Sequence, residues 1–343
     1  MKDFHSSKHR KQYKMQLFLL FCFLIICFVV SFHVGRYPIH PIDLVKVLFS
    51  NIVPIEQGWD PSIETVLYQI RMPRVIGAVL VGAALSCAGA VYQGLFQNPM
   101  CSPDLLGASS GAGFGAALAI LFHLGFLGTT LFAFCFGVIT VLMVYLLSRR
   151  VKGNPTLGLI LTGIMVGSLS SAAISFIKLV ADPNDTLPAI TYWLMGSLSG
   201  IGQKEIWFCF IPILAGLVPL LFLRWKLNVM TMGEEEAKAM GINTKFIRLI
   251  VIICATMLTS ASVAVSGMIG WVGLVIPHFT RMITGPDFRR LIPASMILGA
   301  SFMLIVDNFS RMLTTQEIPL GILTAFIGAP FFIYLIMREG NKS

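Results

Sequence analysis

The sequence predicts an all-α integral membrane protein of about ten transmembrane helices, with both termini on the cytoplasmic side. Three observations carry that prediction. The 343-residue chain is 56% hydrophobic and only 12% charged, with a mean hydropathy of +0.82, whereas a soluble domain carries about 25% charged residues. Its apolar stretches are continuous and rich in Gly and Ala, without the two-residue alternation of a membrane β-barrel. Its Lys and Arg residues gather in alternate connections between those stretches, as the positive-inside rule requires of a multi-pass chain.

Taken in order, residues 1–15 form a basic tail holding Lys2, Lys8, Arg10, Lys11 and Lys14. The apolar run at 16–34 is longer than a signal-peptide core and lacks a small-residue cleavage site, so it remains as the first span. Further apolar segments fall at 74–93, 107–125, 127–147, 157–180, 205–223, 246–266, 268–280, 291–309 and 319–337. The run at 268–280 is short for a crossing on its own, because a span needs roughly 20 residues. Residues 16–338 therefore read as one polytopic domain with a polar loop at 224–248. In this topology seven of the 25 Lys and Arg residues face outward: Arg36, Lys46, Arg71, Arg74, Lys178, Lys204 and Arg311. The other 18 face the cytoplasm, including Arg149, Arg150, Lys152, Arg338 and Lys342. The net charge of +9 is spread over many loops, which argues against nucleic acid.

Close packing is written into the spans. Gly107, Gly111 and Gly115 recur every four residues, as do Gly82, Ser86 and Ala90, and such stripes let helix backbones approach. The helix bearing the first stripe is expected to start at Ser102-Pro103-Asp104, with Ser102 as its cap. The seven cysteines form no CxxC pair and read as small packing residues. His278 has no second ligand at helical spacing, so no metal site is expected. No G-x-x-x-x-G-K-[ST] motif is present, so the chain cannot hydrolyse ATP by that route.

The run Gly233-Glu234-Glu235-Glu236-Ala237-Lys238-Ala239-Met240-Gly241 interrupts the oily pattern. Three carboxylates in the first turn favour a helix N-terminus, Lys238 lies four residues after Glu234, and Gly241 can end the helix. A compact charged helix held between two spans is suited to contact something in the cytoplasm.

Several segments together closely resemble the permease subunits of iron-siderophore, haem and vitamin B12 ABC importers. They are Arg71-Met-Pro-Arg74, Gly82 through Gln93, Asn98-Pro-Met-Cys-Ser-Pro-Asp-Leu-Leu-Gly107, Trp193 through Gly200, Gly233 through Gly241, Gly267 through His278 and Glu317 through Pro330. The likeness runs from about residue 40 to the end. Cys87 and Cys101 depart from it, standing where Ser or another small residue is expected.

The resemblance implies a ten-helix subunit of the bacterial or archaeal cytoplasmic membrane that dimerises with a second copy or a paralogue. A pair of cytoplasmic ABC ATPases would lie below and an extracytoplasmic solute-binding protein above, with membrane lipid around the helices. No cofactor would be bound directly, and ATP would be used by the partner subunit. Gly233, Glu234, Glu235, Glu236, Ala237, Met240 and Gly241 would form the coupling helix, with Ala237 and Met240 as apolar anchors in a groove of the ATPase. Arg71, Arg74 and Arg311 would meet acidic residues of the binding protein; snorkelling to headgroups is the other reading. Thr156, Ile160, Gly163, Gly167 and Ser171 form a stripe of mostly small side chains that lines either the substrate path or a helix–helix contact, with Thr156 near a cytoplasmic gate. The expected cargo is a metal chelate, a ferric siderophore ahead of haem or cobalamin. An ion-coupled secondary transporter is the alternative; it would need ionisable groups at mid-membrane, which the span centres do not supply.

Overall fold

The computed structural model describes residues 2–50, 58–151 and 155–340, with side chains described for 11–48, 50, 58–151, 155–334 and 337. Lys152 and Lys342, and the side chains of Lys2, Lys8, Arg10 and Arg338, lie outside the described part. The helices in chain order are α1 (Lys2–His33), α2 (Pro41–Ser50), α3 (Pro61–Thr65), α4 (Met72–Leu95), α5 (Ala108–Leu121), α6 (Gly125–Ser148) and α7 (Pro155–Val180). They continue with α8 (Thr186–Met195), α9 (Gln203–Met230), α10 (Glu234–Ala239), α11 (Thr244–Ser266), α12 (Val272–Thr284), α13 (Phe288–Met312) and α14 (Leu320–Gly340). A π-helical turn, Val66–Arg71, fuses α3 to α4, and a 3-10 turn, Pro103–Leu106, precedes α5.

Each apolar segment predicted from the sequence is occupied by a helix. Among the described residues, seven helices are long and apolar enough to cross a membrane: α1, the continuous Pro61–Leu95, α6, α7, α9, α11 and α13. The helices α5 and α12 have only 14 and 13 residues.

The structure departs from the sequence reading in four places. The backbone of the tail joins α1 without a break, and α9 runs on to Met230, so the polar connection before α11 is shorter than 224–248. Ser102 caps only the 3-10 turn, because Gly107 takes a left-handed conformation (φ 79°) and restarts the chain as α5. Between α7 and α9 stands α8, which ends at Gly196.

The helix α4 is the axis of the bundle. Most of its best span window is buried, 78%, against 17% for α1 at the rim. It runs antiparallel to α13: Arg74 meets Asp307 near one end and Gly94 meets Phe288 at the other. Between apolar helices in lipid no hydrophobic force acts, so close van der Waals approach must hold the pair. The stripe Gly82–Ser86 supplies it. A Cβ on Gly82 would lie 2.7 Å from both the Gly299 carbonyl carbon and Met303 Cγ. The other predicted stripe works likewise, with Gly111 and Gly115 set against Thr140, Phe136 and Phe132 of α6. Helices α9 and α11 close around α4, where Gly216 faces the Cys254 carbonyl at 2.8 Å from a built Cβ. Five cysteines, at positions 27, 87, 101, 209 and 254, are buried in this packing.

Candidate functional site

The two ends of α4 carry two different polar assemblies. They are about 32 Å apart along the helix from Arg74 to Leu95, at 1.5 Å per residue.

At the Leu95 end lies α10. Gly233 (φ 139°) and Gly241 (φ 78°) bracket it in conformations that side chains resist. Glu234 turns inward: its carboxylate pairs with Lys238 at 3.3 Å and Arg248 at 3.1 Å, and accepts from the Thr244 hydroxyl at 3.3 Å. Partial burial pushes the Glu234 carboxyl up, but the hydrogen bonds and charges of Arg248 and then Lys238 outweigh it and hold it below the usual glutamate range. This fastens α10 onto the first turn of α11, which Asn243 caps by accepting from the Phe246 N–H at 3.1 Å. Ala237 is fully buried inside the chain, packed with the core, so it is not one of the anchors expected on the docking face. The six-residue helix presents Glu235, Glu236, Lys238 and Met240 instead, with Met232 beside them. Beneath it a cavity of about 280 Å³ is lined by Thr156, Gln97, Met230, Gly233, Glu234, Thr244 and Arg248, among others. Of the α7 stripe, Thr156 thus stands directly under α10.

At the other end the three predicted docking arginines do not protrude. Arg71, Arg74 and Arg311 are 3, 5 and 7% exposed. Arg74 clamps Glu317 with both terminal nitrogens, at 2.8 and 2.9 Å, and its Nε donates to Asp307 at 2.9 Å. Arg311 meets the same Asp307 at 3.2 Å and donates to the Val34 carbonyl at 3.0 Å. Arg71 donates to the Phe32 and Tyr37 carbonyls. The correction has a plain cause: two carboxylates remote in sequence, and the carbonyls at the end of α1, occupy donors that a topology rule leaves pointing outward.

The α7 stripe resolves into two environments. Gly163 and Gly167 face the backbone of Leu105 and Gly107, which is the helix-packing alternative, while Ser171 is exposed and Ile160 half-buried against the core. None of the five lines a cavity of about 770 Å³, which is bounded by Asp104, Ser109, α8, the Met268–Trp271 turn and α14. A second cavity of about 590 Å³ opens beside Glu317, Ser197, Ser266 and Gly267. The two are separated by a backbone junction: Ser197 N–H donates to the Ser266 carbonyl at 2.8 Å, and Leu320 N–H to the Gly196 carbonyl at 2.9 Å. Sequence reasoning missed Asp104 as a cavity residue because it reads as a helix-capping acid. The signal against that reading is how apolar its whole surroundings are. Among the described residues no group of three His, Cys, Asp or Glu side chains is placed to hold a metal ion.

A bundle of long apolar helices with two neighbouring cavities, and a tethered polar helix at one end, fits a multi-pass transport subunit of the cell membrane. Comparison with known proteins gives the family. Residues 23–338 match the FecCD transport family, and the chain belongs to it. It is 39% identical to the molybdate import system permease of Haemophilus influenzae, over 96% of this chain and 98% of that one. It is 35% identical to the Fe(3+)-citrate import system permease of Bacillus subtilis, over 98% and 99%. A metal-chelate type ABC transporter solved in an inward-facing conformation superposes with a TM-score of 0.83 at 39% identity, covering 94% of this chain and 98% of that one. The chain is an ABC importer permease, not an enzyme, and ATP hydrolysis belongs to a separate subunit. Membership also displaces the ion-coupled carrier alternative.

Proposed function

We propose that this permease carries a metal chelate, of the ferric siderophore type, from an extracytoplasmic solute-binding protein into the cytoplasm. The observation that carries the reading is the pair of neighbouring cavities on either side of the Ser197–Ser266 and Leu320–Gly196 junction, together with a polar helix tied to α11. The cavity of about 770 Å³ suits a bulky, largely apolar cargo better than a small oxyanion. In this reading the α10 end is cytoplasmic, and Glu235, Glu236 and Met240 meet one of two ATPases. Arg71, Arg74 and Arg311 serve docking by holding the outer rim on which the binding protein sits, and Thr156 contributes to the cytoplasmic gate. A second permease copy or a paralogue completes the path across the exposed faces of α7 and α14. No cofactor is needed on this chain; nucleotide acts through the partner by binding one state of the dimer more tightly than the other.

The test is reconstitution with the cognate ATPase and binding protein in lipid vesicles. Radiolabelled ferric trihydroxamate, ferric citrate, haem, cobalamin and molybdate would be offered in turn. ATP-dependent uptake of a ferric chelate is expected. Uptake of molybdate alone would replace the substrate, and uptake without ATP would overturn the mechanism.

A further inference from the structure

The cavity of about 770 Å³ has one ionisable side chain on its wall among the described residues, and that is Asp104. The remainder is largely apolar, including Leu194, Met268, Ile322 and Phe326, with the hydroxyls of Ser109 and Ser110 beside the carboxylate. The Ser109 hydroxyl donates to Asp104 Oδ1 and fixes its direction. The carboxylate is not needed to form its own turn, which backbone bonds already close: Leu105 N–H to Ser102 at 3.2 Å and Gly107 N–H to Asp104 at 2.8 Å. An ionisable group that faces a cavity within a membrane bundle marks a ligand or ion route by default.

A second, independent feature is Trp271. Its φ of 68° is rare for a bulky side chain, and such strain collects at functional sites. Its ring is held against α14 at Gly328, where a Cβ would lie 2.6 Å from Trp271 Cβ and 2.8 Å from the ring. Asp104 and Trp271 therefore line the same cavity, one fixed by Ser109 and the other packed on α14. Carboxylates and indole faces share one preference, for cationic and hydrogen-bond-donating groups.

We propose that Asp104 and Trp271 form a selectivity contact in the path. It accepts a bulky apolar ligand that presents an ammonium, N–H or O–H edge, and it disfavours anions. The proposal rests on the reading of this cavity as the route of transport.

The test places a thiol in the cavity by Ala325→Cys, in a Cys22→Ser/Cys135→Ser background, with the permease and its ATPase in lipid vesicles. Labelling rates of a trimethylammonium and a sulfonate methanethiosulfonate of similar size are compared, each normalised to a free thiol. An ionised carboxylate on the same cavity wall favours the cationic reagent over the anionic one, by up to about tenfold in a water-like dielectric. That preference is expected to collapse in Asp104→Asn and to persist in Asp104→Glu. An unchanged ratio in Asp104→Asn, or an introduced thiol that neither reagent reaches, would overturn the proposal. ATP-driven uptake measured on the same vesicles keeps the outcomes apart, since its absence with the labelling preference intact would count against the importer reading alone.

Discussion

Arg74 joins Glu317 across 243 positions of sequence through two parallel N–H···O bonds of 2.8 and 2.9 Å. The same guanidinium holds Asp307, which is 1% exposed, so a single side chain ties the start of α4 to the end of α13 and to the strap before α14. Paired and forked, the charges satisfy one another; without Arg74, Asp307 keeps Arg311 at 3.2 Å while the partly exposed Glu317 loses its fork.

Arg74→Leu is therefore expected to destabilise the protein by about 1–3 kcal/mol, since Glu317 loses two charge-assisted bonds while Asp307 keeps Arg311. The double variant Arg74→Leu/Glu317→Leu, which leaves the Asp307–Arg311 pair intact, should recover a large part of that loss. Unfolding by a denaturing detergent, monitored by circular dichroism, measures both. Equal stability of the single variant and the parent would mean that the cluster does not hold this end together.

At the opposite end, Glu234→Gln should leave global stability within about 1 kcal/mol, because partly exposed ion pairs contribute little. It should nevertheless lower the amount of cargo moved per ATP hydrolysed, by loosening α10 from Arg248 and Thr244. Glu235→Ala leaves that tether intact and should instead weaken association with the ATPase. Ala237→Glu, which buries a charge, should impair folding. Pull-down stoichiometry and the transport-to-hydrolysis ratio separate the three, and identical behaviour of Glu234→Gln and Glu235→Ala would contradict the two-faced helix.

The same tether sets a pH dependence. The folded-state pKa of Glu234 is lowered, so its contribution is fully present above the ordinary glutamate range and disappears as pH falls through the lower folded value. Amide hydrogen exchange across α10 should stay slow through mildly acidic pH and accelerate only below the range where a free glutamate titrates. In Glu234→Gln that step should vanish. Loss of protection at higher pH than a free glutamate titrates would reverse the sign of the argument.

Gly82→Val and Gly299→Val are expected to cost more than the roughly 1–3 kcal/mol typical of overpacking, because the clash is with backbone as well as side chain. Gly58→Ala, with nothing within 4 Å of its built Cβ, should be close to neutral. Detergent-extracted yield and thermal unfolding of the three variants provide the comparison.

Apolar runs located every long helix because lipid demands uninterrupted helical hydrogen bonding and leaves little choice of structure. The short helix α8 escaped because Thr186–Met195 is only 10 residues, contains Pro188 and is mostly half-buried or exposed. The three arginines were legible as exceptions to charge topology, but not as a buried cluster, since Asp307 and Glu317 lie 233 and 243 residues from Arg74. Ala237 was misassigned because a six-residue helix has too few positions to reveal which side faces its own chain. Asp104 was hidden by a local pattern that explains an acid at a helix start equally well. For the arginines, Ala237 and Asp104 the missing information was a tertiary contact, which no local pattern encodes.

The glycine contacts along α4 have a mechanical consequence. Where Gly82 and Ser86 lie against Gly299, and Gly89 against the carbonyl of Gly273, backbone abuts backbone and there is no slack into which either helix can slide. An acyl chain finds no crevice there either. Helices α4, α12 and α13 thus form a keel, a single close-packed unit whose members cannot be separated without breaking backbone contact.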